Sequence, residues 1–183
     1  MRYFKDLAVL FSQIQANDDK RKPLSRDEAV GKVVQQIKNI KKKSKKIILI
    51  GNGGSASIAG HIAIDFLKNA GIRAICFNEP SLLTCIANDF GYEYVFQKPL
   101  EILAEKGDML IAISSSGKSR NIHNAVGSAR KKGCLVITMS GFSPKNPLRS
   151  KGTINFYVPA ESYGYVEIAH LVICHTIADS LKI

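Results

Sequence analysis

An α/β fold, with five short parallel strands between layers of helices, is what the chain predicts. Three observations carry it. The segments KIILIG, IRAICF, DMLIAIS, CLVITMS and INFYVP are aliphatic almost throughout, as strands are when both faces of their sheet are covered. Helices separate them, which makes the connections crossovers and the sheet parallel. Two of the strands run straight into loops of glycine and serine that open helices, GNGGSAS at 51–57 and SSSGKS at 114–119. In such sheets a ligand sits beyond the carboxyl ends of the strands.

The elements follow in order. Phe4, Leu7, Leu10, Phe11 and Ile14 stand at helical spacing over 3–16, and a loop through Pro23 comes next. Ser25 and Glu28 form a capping box. The helix beyond it sets Val30, Val33, Val34, Ile37 and Ile40 on one face. These two helices make an N-terminal extension, 1–44, on an α/β core of 45–183 within a single domain. They must pack on something, and a second copy of the chain is a suitable partner. After the first strand, the glycine loop starts a helix of about 55–69. IRAICF is the second strand, 78–107 is mostly helical, and DMLIAIS is the third. SSGKSRN opens a helix to about 132, CLVITMS and INFYVP are the last strands, and 165–181 is a closing apolar helix. No repeat or linker interrupts the chain.

A length of 183 residues with 45% hydrophobic content suits one packed domain. No run reaches the roughly 18 apolar residues of a membrane span, and the N-terminus reads as no leader, so a cytoplasmic location is expected. Cys76, Cys85, Cys134 and Cys174 are scattered without C-x-x-C pairing and read as reduced thiols. The net charge is +11, densest in KKKSKK at 41–46. No aromatic residues interleave there as a base-stacking surface requires, so a solvated turn is the better reading than nucleic-acid binding.

The glycine loop fits G-x-G-x-x-A through Gly51, Gly53 and Ala56, a dinucleotide spacing. An acidic residue about 20 residues on should then hold the ribose, and Glu79 lies well past that point. The second loop ends in GKS like a P-loop, but Ala112 stands where the first P-loop glycine belongs. What remains are hydroxyls and free backbone N–H groups at helix N-termini, a site for a phosphate monoester.

GNGGSAS, LLTCIANDFGYEYVF, GDMLIAISSSGKSRN and the final helix with Glu167 and His175 resemble the sugar isomerase (SIS) domains, and among them the phosphoheptose isomerases. The likeness covers nearly the whole chain. It implies a flavodoxin-like three-layer sandwich, a homotetramer with active sites at subunit interfaces, and conversion of sedoheptulose 7-phosphate to D-glycero-D-manno-heptose 7-phosphate for surface polysaccharide. The same family also contains sugar-phosphate sensors, a replication-initiator-associating branch, and isomerases of other capsule sugars. By motif, Asn52, Gly53, Gly54, Ser55, Asn88, Asp89, Ser114, Ser115, Ser116, Ser119 and Glu167 would contact the substrate. His61, Asp65, Glu167 and His175 match the family's metal and catalytic cluster, with Asp65 in place of Glu, Glu167 in place of Gln, and Lys118 where Asn is common.

The residues support chemistry on their own terms. Moving a proton between adjacent carbons through an enediol needs a base at carbon, an acid at oxygen and a stabilised oxyanion. His61 and Asp65 at i and i+4 share one face of an otherwise apolar helix. His175 is a similar polar break in VICHTIA. Asp65 is assigned to the carbon-bound proton and His175 to the oxygens, and a divalent ion, Zn²⁺ above all, would polarise the carbonyl. Glu167 and His175 are separated by a helical rise of about 12 Å, so they share one ion only by leaning together.

Overall fold

The structure, a computed structural model, describes residues 2–181. One sheet holds β1 (Gln15–Asp18), β2 (Pro23–Leu24), β3 (Lys46–Ile50), β4 (Arg73–Cys76), β5 (Met109–Ser114), β6 (Leu135–Ser140) and β7 (Ile154–Tyr157). Their order is β2-β1-β7-β6-β5-β3-β4, and the strands from β3 to β7 are parallel to one another. These are the five expected strands. The order reverses between β3 and β5, the switch point where such sheets open a crevice.

The sheet has seven strands rather than five, because residues read as helix end and loop form a hairpin. β1 pairs antiparallel with β7, setting Gln15 opposite Tyr157, and β2 pairs with β1. QAND has neither aliphatic alternation nor length to mark it as a strand. Its partner on the distant β7 makes it one.

Among the described residues seven α-helices cover the sheet: α1 (Tyr3–Gln13), α2 (Arg26–Lys42), α3 (Gly54–Ala70), α4 (Pro80–Phe90), α5 (Gln97–Leu103), α6 (Arg120–Lys131) and α7 (Tyr163–Asp179). Alternation along the strands divides the core. Ile47, Leu49, Met109 and Ile111 pack with Val33, Ile37, Phe66 and Ile173 on one face, together with Leu7 and Leu10. Ile48, Ile50 and Leu110 meet Phe96, Leu100, Ile122 and Val126 on the other. Leu7 and Leu10 of α1 and one face of α2 thus pack on their own sheet, while Phe4 and Val9 of α1 stay exposed. Ser25 caps α2 as expected, its Oγ accepting the Glu28 amide at 3.1 Å.

The lysine run stitches elements together. Lys41 Nζ donates to the Ala70 carbonyl at the end of α3 (2.6 Å), and Lys45 pairs with Glu105 at 2.9 Å. Lys46 Nζ lies 2.7 Å from the buried Asp108, which also accepts the amides of Lys46 and Glu105. Burial pushes the Asp108 carboxyl up, but the lysine and the two amides together hold it below its ordinary value. The four cysteines are free.

Candidate active site

At the switch point, the loops after β3 and β5 enclose a cleft of about 230 Å³. Asn52, Gly53, Gly54 and Ser55 line one side, and Ser114, Ser115, Ser116 and Ser119 the other, with Tyr163 and Glu167 of α7 at the rim. The serine loop folds tightly because Gly117 takes φ +63°, letting its amide bond back to the Ser114 carbonyl at 3.0 Å. A Cβ on Gly117 would collide with the Asn146 side chain. Ser114 Oγ reaches Ser119 Oγ at 3.4 Å, and Ser116 Oγ accepts the Lys118 amide at 3.3 Å. Ser115 Oγ is buried without a partner among the described residues. A buried hydroxyl left unpaired is costly, and an anion in the cleft would satisfy it.

The two loops are tied together. Asn52 and Asn121 exchange side-chain amide bonds of 3.0 and 2.8 Å, and Tyr92 donates its hydroxyl to Asn52 Oδ1 at 3.0 Å. Behind the serine loop, Asn146 Nδ2 donates to Ser140 Oγ and to the carbonyls of Gly141 and Ser143. The Gly141 amide in turn bonds the Ser115 carbonyl at 2.8 Å. His123, whose pKa burial pushes below its ordinary value, donates from Nε2 to the Gly117 carbonyl at 2.9 Å. His170 on α7 is fully buried and donates from Nε2 to the Ser140 carbonyl at 3.2 Å. Burial pushes its pKa down to about 4.

Helices α3 and α7 lie side by side and run the same way, since Gly54 meets Glu167 and Asp65 meets His175. Further along this pair, Asp65 Oδ2 sits 3.6 Å from His61 Nε2 and 3.5 Å from His175 Nδ1. The two imidazoles meet edge to face with centroids 5.2 Å apart. Asn69, one turn on, donates to Asp65 Oδ1 at 3.2 Å and leaves Oδ2 to the histidines.

One ligand atom from each of His61, Asp65 and His175 lies within 4.8 Å of the others. Tetrahedral zinc with bonds of about 2.0–2.1 Å needs ligand atoms about 3.4 Å apart. The separations of 3.6 and 3.5 Å from Asp65 lie close to that edge, and with all three ligand atoms within 4.8 Å of one another two imidazoles and a carboxylate are a donor set that suits the ion. Glu167 does not join them. Its carboxylate packs on Gly54 at the start of α3, where a Cβ would come within 2.5 Å of it. The expected four-residue cluster is thus three residues plus a carboxylate at the rim of the cleft, as the helical rise between Glu167 and His175 requires.

Asn88 and Asp89 also lie outside the cleft of their own chain. Both are exposed at the end of α4, where Asn88 Nδ2 bonds Asp89 Oδ1 at 2.9 Å. Asn69, Tyr92, Asn121, Asn146 and His170 belong to the site's support; Tyr92 and Asn121 lie inside the quoted motifs LLTCIANDFGYEYVF and GDMLIAISSSGKSRN without a role read for them, and the other three lie in no quoted motif. Of these, Asn146 had a readable signal, since Asn-Pro initiates turns.

A family profile described as SIS domain matches residues 2–141. The phosphoheptose isomerase of Fusobacterium nucleatum is 35% identical over 156 residues, 82% of this chain and 80% of that protein. The phosphoheptose isomerase of Photorhabdus laumondii is 35% identical over 179 residues, covering 92% and 91%. The solved structure of the phosphoheptose isomerase from Neisseria gonorrhoeae superimposes with a TM-score of 0.83 at 25% identity, over 98% of this chain and 94% of that one.

Proposed function

The chain belongs to the SIS domain family, among its phosphoheptose isomerases, and on that premise we propose that it converts sedoheptulose 7-phosphate to D-glycero-D-manno-heptose 7-phosphate. It is an aldose–ketose sugar-phosphate isomerase. The observation that carries the assignment is the pairing of a phosphate-sized cup, with the Ser115 hydroxyl unpaired in its wall, and a carboxylate held between two histidines further along the same helices. From Gly54 to His61 the rise along α3 is about 10 Å. At about 1.5 Å per carbon–carbon bond, a seven-carbon chain with a terminal phosphate covers that distance.

In this reading the serine hydroxyls and the first amides of α6 bind the phosphate. Asp65, aimed by Asn69, takes the proton from the carbon beside the carbonyl and returns it to the neighbouring carbon. His175 exchanges protons with the two oxygens of the enediol. His61, Asp65 and His175 would hold a zinc ion, which when bound supplies polarisation of the carbonyl. Glu167 meets the substrate at the rim. Asn88 and Asp89 serve the cup of a neighbouring copy in a homotetramer, since they face away from their own. The product supplies heptose for surface polysaccharide from the cytoplasm.

Zinc-loaded protein incubated with sedoheptulose 7-phosphate should produce aldose signals by NMR. Asp65→Asn and His175→Ala should each lower kcat by about 10²-fold or more, the scale of general acid–base catalysis. No conversion by the wild type overturns the reaction, and full turnover by both variants overturns the assigned roles.

A further inference from the structure

A hollow larger than the cup lies elsewhere on the molecule. A groove of about 870 Å³ runs between the N-terminal hairpin and the segment after β6. Arg21 and Arg26 line one wall and Lys145 and Arg149 the other, with Ile14, Pro23 and Leu24 as apolar surface and no carboxylate among the lining residues. Three of the carboxylates nearby in sequence are engaged or border another hollow. Asp18 Oδ1 accepts the amides of Lys20 and Lys22, Glu28 pairs with Lys32 at 2.8 Å, and Asp27 borders not this groove but an adjoining hollow that shares Ile14 and Arg26 with it.

The groove is also built to hold charge in place. Arg149 is fixed by bonds to Gln15 Oε1 (2.6 Å) and the Pro144 carbonyl (3.2 Å), and lies over the Tyr157 ring at 4.1 Å. Arg26 is fixed by its bond to the Phe11 carbonyl. Arg21 and Lys145 form no ion pair among the described residues. Helix α2 enters the groove at Ser25 and Arg26. Ser25 Oγ takes only the Glu28 amide, so the preceding first-turn amides have no bond from within the helix.

We propose that this groove binds a small organic molecule carrying two or more phosphate groups. Its volume is that of a metabolite site. One phosphate would neutralise one wall and leave the facing pair of cations unmatched, whereas a diphosphate or bisphosphate meets both. The apolar strip beneath takes the organic body. The site shares Asn146 with the support of the cup but is otherwise separate from it, and it stands independently of the isomerase assignment.

Inorganic pyrophosphate, titrated calorimetrically into the full chain with and without sedoheptulose 7-phosphate, is the probe. Pyrophosphate should bind at least about tenfold more tightly than orthophosphate, in both conditions, because its charge-assisted contacts reach both walls. Arg21→Glu with Lys145→Glu should weaken it about tenfold or more while sugar-phosphate turnover stays unchanged. The milder pair Arg21→Asn with Lys145→Ser gives the same readout should charge reversal disturb folding. Absence of pyrophosphate binding, equal binding by both double variants, or displacement by the sugar phosphate would each overturn the proposal. The calorimetric readout does not depend on turnover, so it separates this site from the reaction.

Discussion

Glu167 places a negative charge at the rim of the cup proposed to hold the substrate phosphate. Its carboxylate lies against the first residue of α3, a favourable position for an anion, and lines the same cleft as the serine loop to which the substrate phosphate is assigned. The two compete. Glu167→Gln keeps the shape and removes the charge. It should lower KM about fivefold with kcat nearly unchanged, and lower stability by about 0.5–1 kcal/mol, the worth of a charge at a helix N-terminus. Steady-state kinetics and urea unfolding of the same variant check both signs, and a raised KM would show that the carboxylate binds substrate rather than repelling it. His61, Asp65 and His175 were legible in the sequence because a polar residue inside an apolar helical face must be paired or used. Asn69 and Asn121 were not. A single asparagine near a helix end looks like any cap until its partner, brought by the fold, is known.

Between elements, His170 fastens α7 to the end of β6, one bond away from the serine loop. It stays neutral in the folded chain, with its pKa pushed down to about 4, against about 6.5 when unfolded. Above pH 6.5 neither state binds the proton and nothing is lost. As pH falls from 6.5 towards 4, only the unfolded chain takes it up, so stability declines by up to about 3 kcal/mol from this residue. His170→Gln keeps an amide donor and lacks the titration. Urea unfolding at pH 7 and pH 4.5 should show a smaller acid loss for the variant than for the wild type, and equal losses would rule out this account. The five parallel strands were readable at this scale because burial on both faces leaves only aliphatic choices. The hairpin of β1 and β2 was not, since QAND owes its conformation to β7 rather than to its own composition.

Across the whole molecule, the outer faces of α3 and α7 around the histidine–aspartate cluster are apolar. Ile64 and Leu67 on α3 are more than half exposed, and Ile168 and Val172 on α7 more than a third. Exposed apolar side chains of this kind favour association, and with Asn88 and Asp89 turned outward they fit the proposed assembly of copies around shared sites. A 20.0 kDa chain should elute near four times its mass, and Leu67→Asp with Val172→Asp should shift it to smaller species and reduce turnover. Full turnover by a monomer would contradict shared sites. The fold class was legible from strand composition alone, whereas the association state rested on resemblance, because exposure cannot be read before the helices are placed.

The N-terminal hairpin has a protective consequence. β7 is buried at every position and rich in the residues that add readily to a foreign strand. β1 occupies its free side, and the sheet then ends in β2, two residues long and containing a proline that has no N–H to offer. At the opposite margin β4 is short and begins with the exposed Arg73, whose guanidinium bonds the Ser44 carbonyl. Neither margin is an inviting template, so copies of the chain are steered to meet through helices. Cutting away residues 2–24 would bare β7, and light scattering should then show cross-strand aggregation that the full chain avoids.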